Sequence, residues 1–263
     1  MKDTLINALH IAGTEQLKYF NIQIKTKEKE SLSNVVTEVD IKCENKILEL
    51  ISKSYPGHNI ITEESGFINN YSDYTWVIDP LDGTSNFAAG IPWFGVLIAL
   101  IKGSVILMSG AYIPVSDQLY FAERSKGAFL NNKSINVNNN LTLRNSLFAF
   151  STDYSDNEIY LEHGTDIYKY LVQNCRNVRS TNSLVDLLYV AESKLGGCIN
   201  LYTRIWDIAA PYLILKEAGG NMIDLYGNEL NFSVHENLIN KNFAILCGTI
   251  EIVSILKQIV KEK

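Results

Sequence analysis

TWVIDPLDGTSNF, residues 75–87, begins as a β-strand and ends as something else. Trp76, Val77 and Ile78 are aromatic or β-branched, the kind of residue that fits a pleated, half-buried surface. Two aspartates, Asp79 and Asp82, then stand three positions apart, with Pro80 between them and Gly83-Thr84-Ser85 behind. Carboxylates set so close repel, and a cation between them removes the repulsion. A hard divalent ion such as Mg²⁺ takes oxygen ligands, which carboxylates and a main-chain carbonyl supply. Pro80 fixes the backbone between the aspartates, so the Leu81 carbonyl can face the same ion. Gly83, Thr84 and Ser85, at a predicted helix N-terminus, offer N–H groups and a hydroxyl suited to a phosphate oxyanion. The same spacing also suits a turn whose side chains cap local N–H groups. The preceding strand, the proline and the Gly-Thr that follows favour the cation.

Working outward, two further acidic points stand at element ends. Glu63-Glu64 closes the short strand of NIITEES, and Asp207 opens the helical pattern of WDIAAPYLILKEAGG, which Gly219-Gly220 ends. Carboxylates at such ends can be aimed at one cleft without disturbing a core. Near the N-terminus, Leu5, Leu9, Ala12 and Leu17 suggest a surface helix over residues 3–20. KTKEKESLSN reads as a polar loop, and TEVD as a helix start with Thr37 as N-cap and Asp40 in the first turn. That helix runs through Ile47, Leu48 and Ile51 and stops before Pro56-Gly57. FGVLIALIKGSVILMSGAYI is broken by Lys102-Gly103 into halves too short for a bilayer, which needs about 20 apolar residues; it reads as a buried hairpin. Further turns are expected at Pro114 and Asn131-Asn132. Helix and strand signals then alternate through DIYKYLVQNC, SLVDLLYVAESKLGG and a last apolar run to Val260. The Asn cluster of NVNNNLTLRNS favours a turn and marks a subdomain boundary. The expectation is a mixed α/β layered sandwich, with an α+β subdomain over residues 1–140 carrying most of the acids and an α/β subdomain over residues 141–263 carrying Asp207.

The 263 residues are 46% hydrophobic and 20% charged, the balance of a well-packed globule. A net charge of -6 argues against a nucleic-acid surface. The four cysteines are scattered with no C-x-x-C pair, which fits reduced thiols of a cytoplasmic protein. The N-terminal sequence has no signal-peptide core.

WVIDPLDGTSNF together with WDIAAPYLILKEAGG resembles the two signature segments of the inositol monophosphatase family, Mg²⁺-dependent, lithium-sensitive phosphatases. IITEES and NVVTEVD resemble its other two acidic segments, and the similarity runs through GAFLNNKSINV, from about Lys29 to Gly227. The resemblance implies an αβαβα sandwich, a homodimer, two or three Mg²⁺ ions per site and inhibition by Li⁺. It places Glu63, Asp79 and the Leu81 carbonyl on one metal, Asp79, Asp82 and Asp207 on a second, and Glu63 again on a weakly held third. Asp40 and Thr84 match the pair that orients and deprotonates the attacking water. The N–H groups of Gly83 and Thr84, with Ser85, match the phosphate cradle. Lys29 falls where the family often has a loop lysine, and it reads equally as a solvated surface lysine.

One position departs from the inositol-specific pattern. Seven residues before Asp207 those members carry a glutamate that bonds a ring hydroxyl; here it is Asn200. The stretch lining the pocket wall reads Thr181-Asn182-Ser183, and Arg204 reads either as a surface residue or as a contact to a second phosphate. The expected substrate is a small polyol or sugar phosphate, inositol monophosphate first and fructose 1,6-bisphosphate second, ahead of histidinol phosphate and a nucleoside 3′,5′-bisphosphate. No nucleic-acid or membrane partner is expected. A haloacid-dehalogenase-type reading of Asp-Gly-Thr fails because the residue two before Asp82 is Pro80. A non-enzymatic metal- or phosphate-binding regulator would be favoured by a lost metal carboxylate, and none is lost.

Overall fold

The computed structural model describes residues 1–20, 26–28 and 35–261. Lys29 and most of KTKEKESLSN lie outside them. Helix α1 (Lys2–Tyr19) buries Leu5, Ala8, Leu9 and Ala12. Leu17, read as part of that stripe, is 45% exposed. Five residues beyond Ala12 it sits about 140° round the helix; the position on the face is Gln16. Strand β1 (Thr26–Glu28) pairs antiparallel with β2 (Val35–Thr37), so part of the expected loop is a strand. Its three polar residues carry no hydrophobic signal, and the ladder is a matter of backbone pairing. Helix α2 (Glu38–Ser54) starts directly after Thr37 and ends before Pro56.

Next come β3 (Asn59–Thr62), β4 (Gly66–Ile68), β5 (Tyr74–Asp82) and the five-residue helix α3 (Thr84–Ala88). β4 lies in the SGFINNYSDY stretch after Glu64, which by its sequence reads as a loop. The expected hairpin is β6 (Gly95–Lys102) and β7 (Val105–Ile113), turning at Gly103. Strands β8 (Gln118–Glu123), β9 (Ala128–Leu130) and β10 (Lys133–Ile135) complete an eight-stranded sheet in the order β10-β9-β8-β7-β6-β5-β3-β4. Only β3 and β5 pair in parallel.

The second sheet starts at β11 (Leu147–Ser151), followed by α4 (Glu158–Asn174), β12 (Asn177–Arg179) and α5 (Leu184–Ala191). Then come β13 (Gly197–Asn200), α6 (Ile205–Glu217), β14 (Asn221–Asp224), β15 (Ile245–Gly248) and α7 (Ile250–Lys261). Its order is β12-β11-β13-β15-β14.

Packing follows from the period-two alternation of the strands. Trp76, Ile78 and Leu100 point one way, onto Leu5 of α1 and Ile47 and Ile51 of α2. Val77, Leu97 and Ala99 point the other way, onto Leu188 of α5 and Ile208 and Ile214 of α6. Those helices in turn cover Ala149, Cys198 and Cys247 of the second sheet. Its far face, Phe148, Ile199 and Leu246, is closed by Ile167 and Leu171 of α4 and Ile252 of α7. This is the expected αβαβα sandwich. Helix α6 is apolar on nearly every side because it lies between two sheets. All four cysteines are free thiols. Among the described residues no helix is long and apolar enough to cross a membrane.

Candidate active site

Strand β5 pairs regularly with β6 up to Asp79, and its register then shifts before Asp82. In an unbroken strand, residues three apart face opposite sides. The irregularity at Pro80-Leu81 turns both aspartates to one side while Leu81 stays in the core against α1 and α2. Asp79 Oδ1 accepts the Leu81 N–H at 3.0 Å, which fixes its carboxylate. Buried carbonyls near the irregularity need donors. Gln16 of α1 supplies them, its Nε2 donating to the carbonyls of Pro80 at 2.9 Å and Gly95 at 3.2 Å.

Asp207 is the third residue of α6, and its Oδ2 accepts the Arg204 N–H at 2.6 Å. Carboxylate oxygens of Asp79, Asp82 and Asp207 lie within 4.8 Å of one another. Glu63 lines the same cleft from the β3–β4 turn. Glu44, buried on α2, holds that turn by accepting the Thr62 hydroxyl at 2.7 Å, the Glu64 N–H at 3.1 Å and the Ser65 hydroxyl. Asp40 lies one helical turn before Glu44, buried, and near enough to Asp79 for its charge to be felt there.

Burial raises the carboxyls of Asp79, Asp82 and Asp207, and neighbouring acids raise them further. Asp79 is held well above the usual carboxylate value by burial, then by Glu63, Asp82, Asp207 and Asp40. Burial lifts Asp82 to about 7, opposed by the Leu184 N–H, with Glu63 and Asp186 adding to the rise. Asp207 is raised by burial and by Asp82, against the pull of the Arg204 N–H. The described residues lining the cleft include neither histidine nor cysteine. An all-oxygen set of crowded carboxylates fits a hard divalent cation. A divalent cation loaded near pH 7 should therefore expel protons, with affinity rising from pH 6 to pH 8. Titration calorimetry in buffers of different ionisation enthalpy should give buffer-dependent heats; identical heats would mean the acids are already ionised.

Behind Asp82 the chain turns at Gly83, whose φ is +82°, into α3. The Thr84 hydroxyl donates to the Leu81 carbonyl at 2.9 Å. Gly83, Thr84 and Ser85 face a cleft of about 430 Å³ that also receives Asn200 and Arg204. Asn200 Oδ1 accepts the Tyr202 N–H at 3.0 Å. The Arg204 guanidinium is held by the Asn240 carbonyl and the Tyr202 hydroxyl, each at 2.5 Å. Glu63, Asp79, Leu81, Asp82, Gly83, Thr84, Ser85, Asn200 and Asp207 thus all line this cleft, Asp40 lies near enough to act on Asp79, and Glu64 does not line it.

The sequence model of the inositol monophosphatase family matches residues 1–258. The chain belongs to the inositol monophosphatase family. It is similar to a fructose-1,6-bisphosphatase/inositol-1-monophosphatase of Aquifex aeolicus, 36% identical over 215 residues and 80% of each chain. It is also similar to Nus factor SuhB of Escherichia coli, 35% identical over 92% of this chain and 91% of that one. Among solved structures, an IMPase of Thermotoga maritima superimposes with a TM-score of 0.85 at 26% identity, covering 99% of this chain and 98% of the other. The protein is accordingly a phosphatase of the inositol monophosphatase family.

Motif reading misses the bracing residues of this family member. Gln16 and Glu44 are polar groups on the buried faces of amphipathic helices, and that position is the signal that could have found them. Asp186 is buried in the first turn of α5, its Oδ2 accepting from Ser151 at 3.0 Å and from the N–H groups of Thr181 and Asn182.

Proposed function

We propose that the protein is a Mg²⁺-dependent phosphomonoesterase acting on a small polyol or sugar phosphate, inositol monophosphate first and fructose 1,6-bisphosphate second. The observation that carries this is the convergence of Asp79, Asp82 and Asp207 beside the Gly83 turn. Glu63, Asp79 and the Leu81 carbonyl would hold one Mg²⁺, Asp79, Asp82 and Asp207 a second, and Glu63 a third. When bound, the cation supplies charge that neutralises the phosphate and makes the attacking water more acidic. The N–H groups of Gly83 and Thr84, with the Ser85 hydroxyl, bind the phosphate oxygens. The Thr84 proton is committed to the Leu81 carbonyl, so its oxygen presents lone pairs to a water. Asp40 with Thr84 orients that water and receives its proton. Asn200 uses Oδ1 on its own loop and offers its amide hydrogens to the alcohol part of the substrate.

The proposal includes a cytoplasmic homodimer with subdomains meeting near residue 140. Free thiols support the compartment. The Escherichia coli relative and several others are named Nus factors; the net charge of -6 speaks against a nucleic-acid partner here. The test is phosphate release from inositol monophosphate, fructose 1,6-bisphosphate, histidinol phosphate and a nucleoside 3′,5′-bisphosphate, with Mg²⁺ and with EDTA. Activity should require Mg²⁺, fall in tens of millimolar Li⁺ and be greatest on one of the first two esters. Undiminished release in EDTA would sink the metal assignment. A hundredfold preference for either of the last two esters would sink the substrate assignment.

A further inference from the structure

Apart from Glu63, Asp79, Asp82 and Asp207, one more carboxylate lines the cleft among the described residues: Asp153, on the loop after β11. It is not a stray surface acid. Asn182 Nδ2 donates to Asp153 Oδ1 at 2.8 Å. Asn182 has a φ of 48°, in the left-handed region. It is held there because its N–H and that of Thr181 donate to Asp186 Oδ2 at 3.1 and 3.2 Å. Asp186 is buried and anchored to Ser151 of β11, the strand that leads to Asp153. Asp186 thus sets Asn182, and Asn182 sets Asp153. The donor amide occupies one acceptor site of a carboxylate that has about four.

The residue at 200 leaves this role open. It is an asparagine whose oxygen already serves the Tyr202 N–H, so it offers the cleft no carboxylate. We propose that Asp153 is the specificity-determining residue on the leaving-group side, its carboxylate accepting hydrogen bonds from the hydroxyls of a polyol. Inositol-specific relatives use a glutamate on β13's side of the cleft; here the acceptor comes from the β11–α4 loop. The inference rests on the phosphatase reading above. A site built to bond hydroxyls rejects analogues lacking them far more strongly than an apolar pocket does, because its polar group is then left unpaired.

The experiment compares kcat/KM of the Mg²⁺-loaded enzyme on inositol 1-phosphate and on phenyl phosphate, whose alcohol part carries no free hydroxyl. In Asp153→Asn and Asp153→Ala the inositol-to-phenyl ratio should fall about ten- to a hundredfold, the loss expected for a hydrogen bond to a charged acceptor. Asn182→Gly tolerates the same backbone angle while removing the bracing amide, and should move the ratio the same way by less. An unchanged ratio in both Asp153 variants, or an equal loss on both esters, overturns the inference and leaves the phosphatase reading standing. A wild-type preference for phosphoethanolamine over inositol 1-phosphate overturns the assignment to hydroxyls. A wild type that hydrolyses neither ester with Mg²⁺ overturns the phosphatase reading, and the inference falls with it.

Discussion

Asp82→Asn should lower kcat about a thousandfold and, in EDTA at pH 7.5, raise the melting temperature above that of the wild type. The two effects have one cause. Asp82 Oδ1 accepts the Leu184 N–H at 2.5 Å, and an asparagine oxygen can do the same, so the start of α5 keeps its anchor. What disappears is a buried charge among like charges. The folded-state value of about 7 lies above the ordinary 3.8. Folded protein therefore binds more protons than unfolded protein between those values, and stability of the metal-free form falls as pH rises through that window. The asparagine removes that contribution to the loss. On the proposed metal assignment it also removes a ligand of a cation that would contribute several kcal/mol to transition-state charge stabilisation, where each 1.36 kcal/mol is tenfold in rate. Melting curves at pH 5 and 7.5 and single-substrate kinetics check both halves. Wild-type turnover in a folded variant would remove Asp82 from the metal site.

Gly83→Ala is the second large effect, and its origin is steric. At a φ of +82° a Cβ would lie 2.5 Å from the Trp93 carbonyl oxygen and 3.2 Å from Ser183 Cβ. The left-handed conformation alone costs an L-residue roughly 1–2 kcal/mol. Relief requires the turn to open, which would move the Gly83 and Thr84 N–H groups away from the proposed phosphate position. A drop in melting temperature of about 5–10 °C and a loss of about a hundredfold in kcat/KM are expected. A variant matching the wild type in thermal denaturation and in kinetics would show that the turn has another conformation.

The first-sheet core and the acid cluster were legible because the sequence writes them locally. Apolar runs broken by Lys102-Gly103 can only be a buried hairpin, and Asp79, Asp82 and Asp207 sit at element ends in long motifs. Residues whose role is set by partners far along the chain were not legible. Gln16 matters through Pro80 and Gly95, and Glu44 through the turn at residues 62–65, neither of which a local pattern can show. Leu17 was misread because a four-residue stripe was extended by five. Strands β1 and β4 were missed because three-residue strands are held by pairing and carry too few side chains for a period.

Helix α6 lies between the two sheets and brings Asp207 to acids that belong to the first. Asp79, Asp82 and Asp207 come together only where α6 is docked on the first sheet, so a chain with α6 undocked lacks the third acid. On the proposed metal assignment, activity would therefore require both layers to be closed on α6. Hydrolysis would then be a readout of complete assembly, and a half-folded chain would neither hold the ion nor attack a phosphate ester.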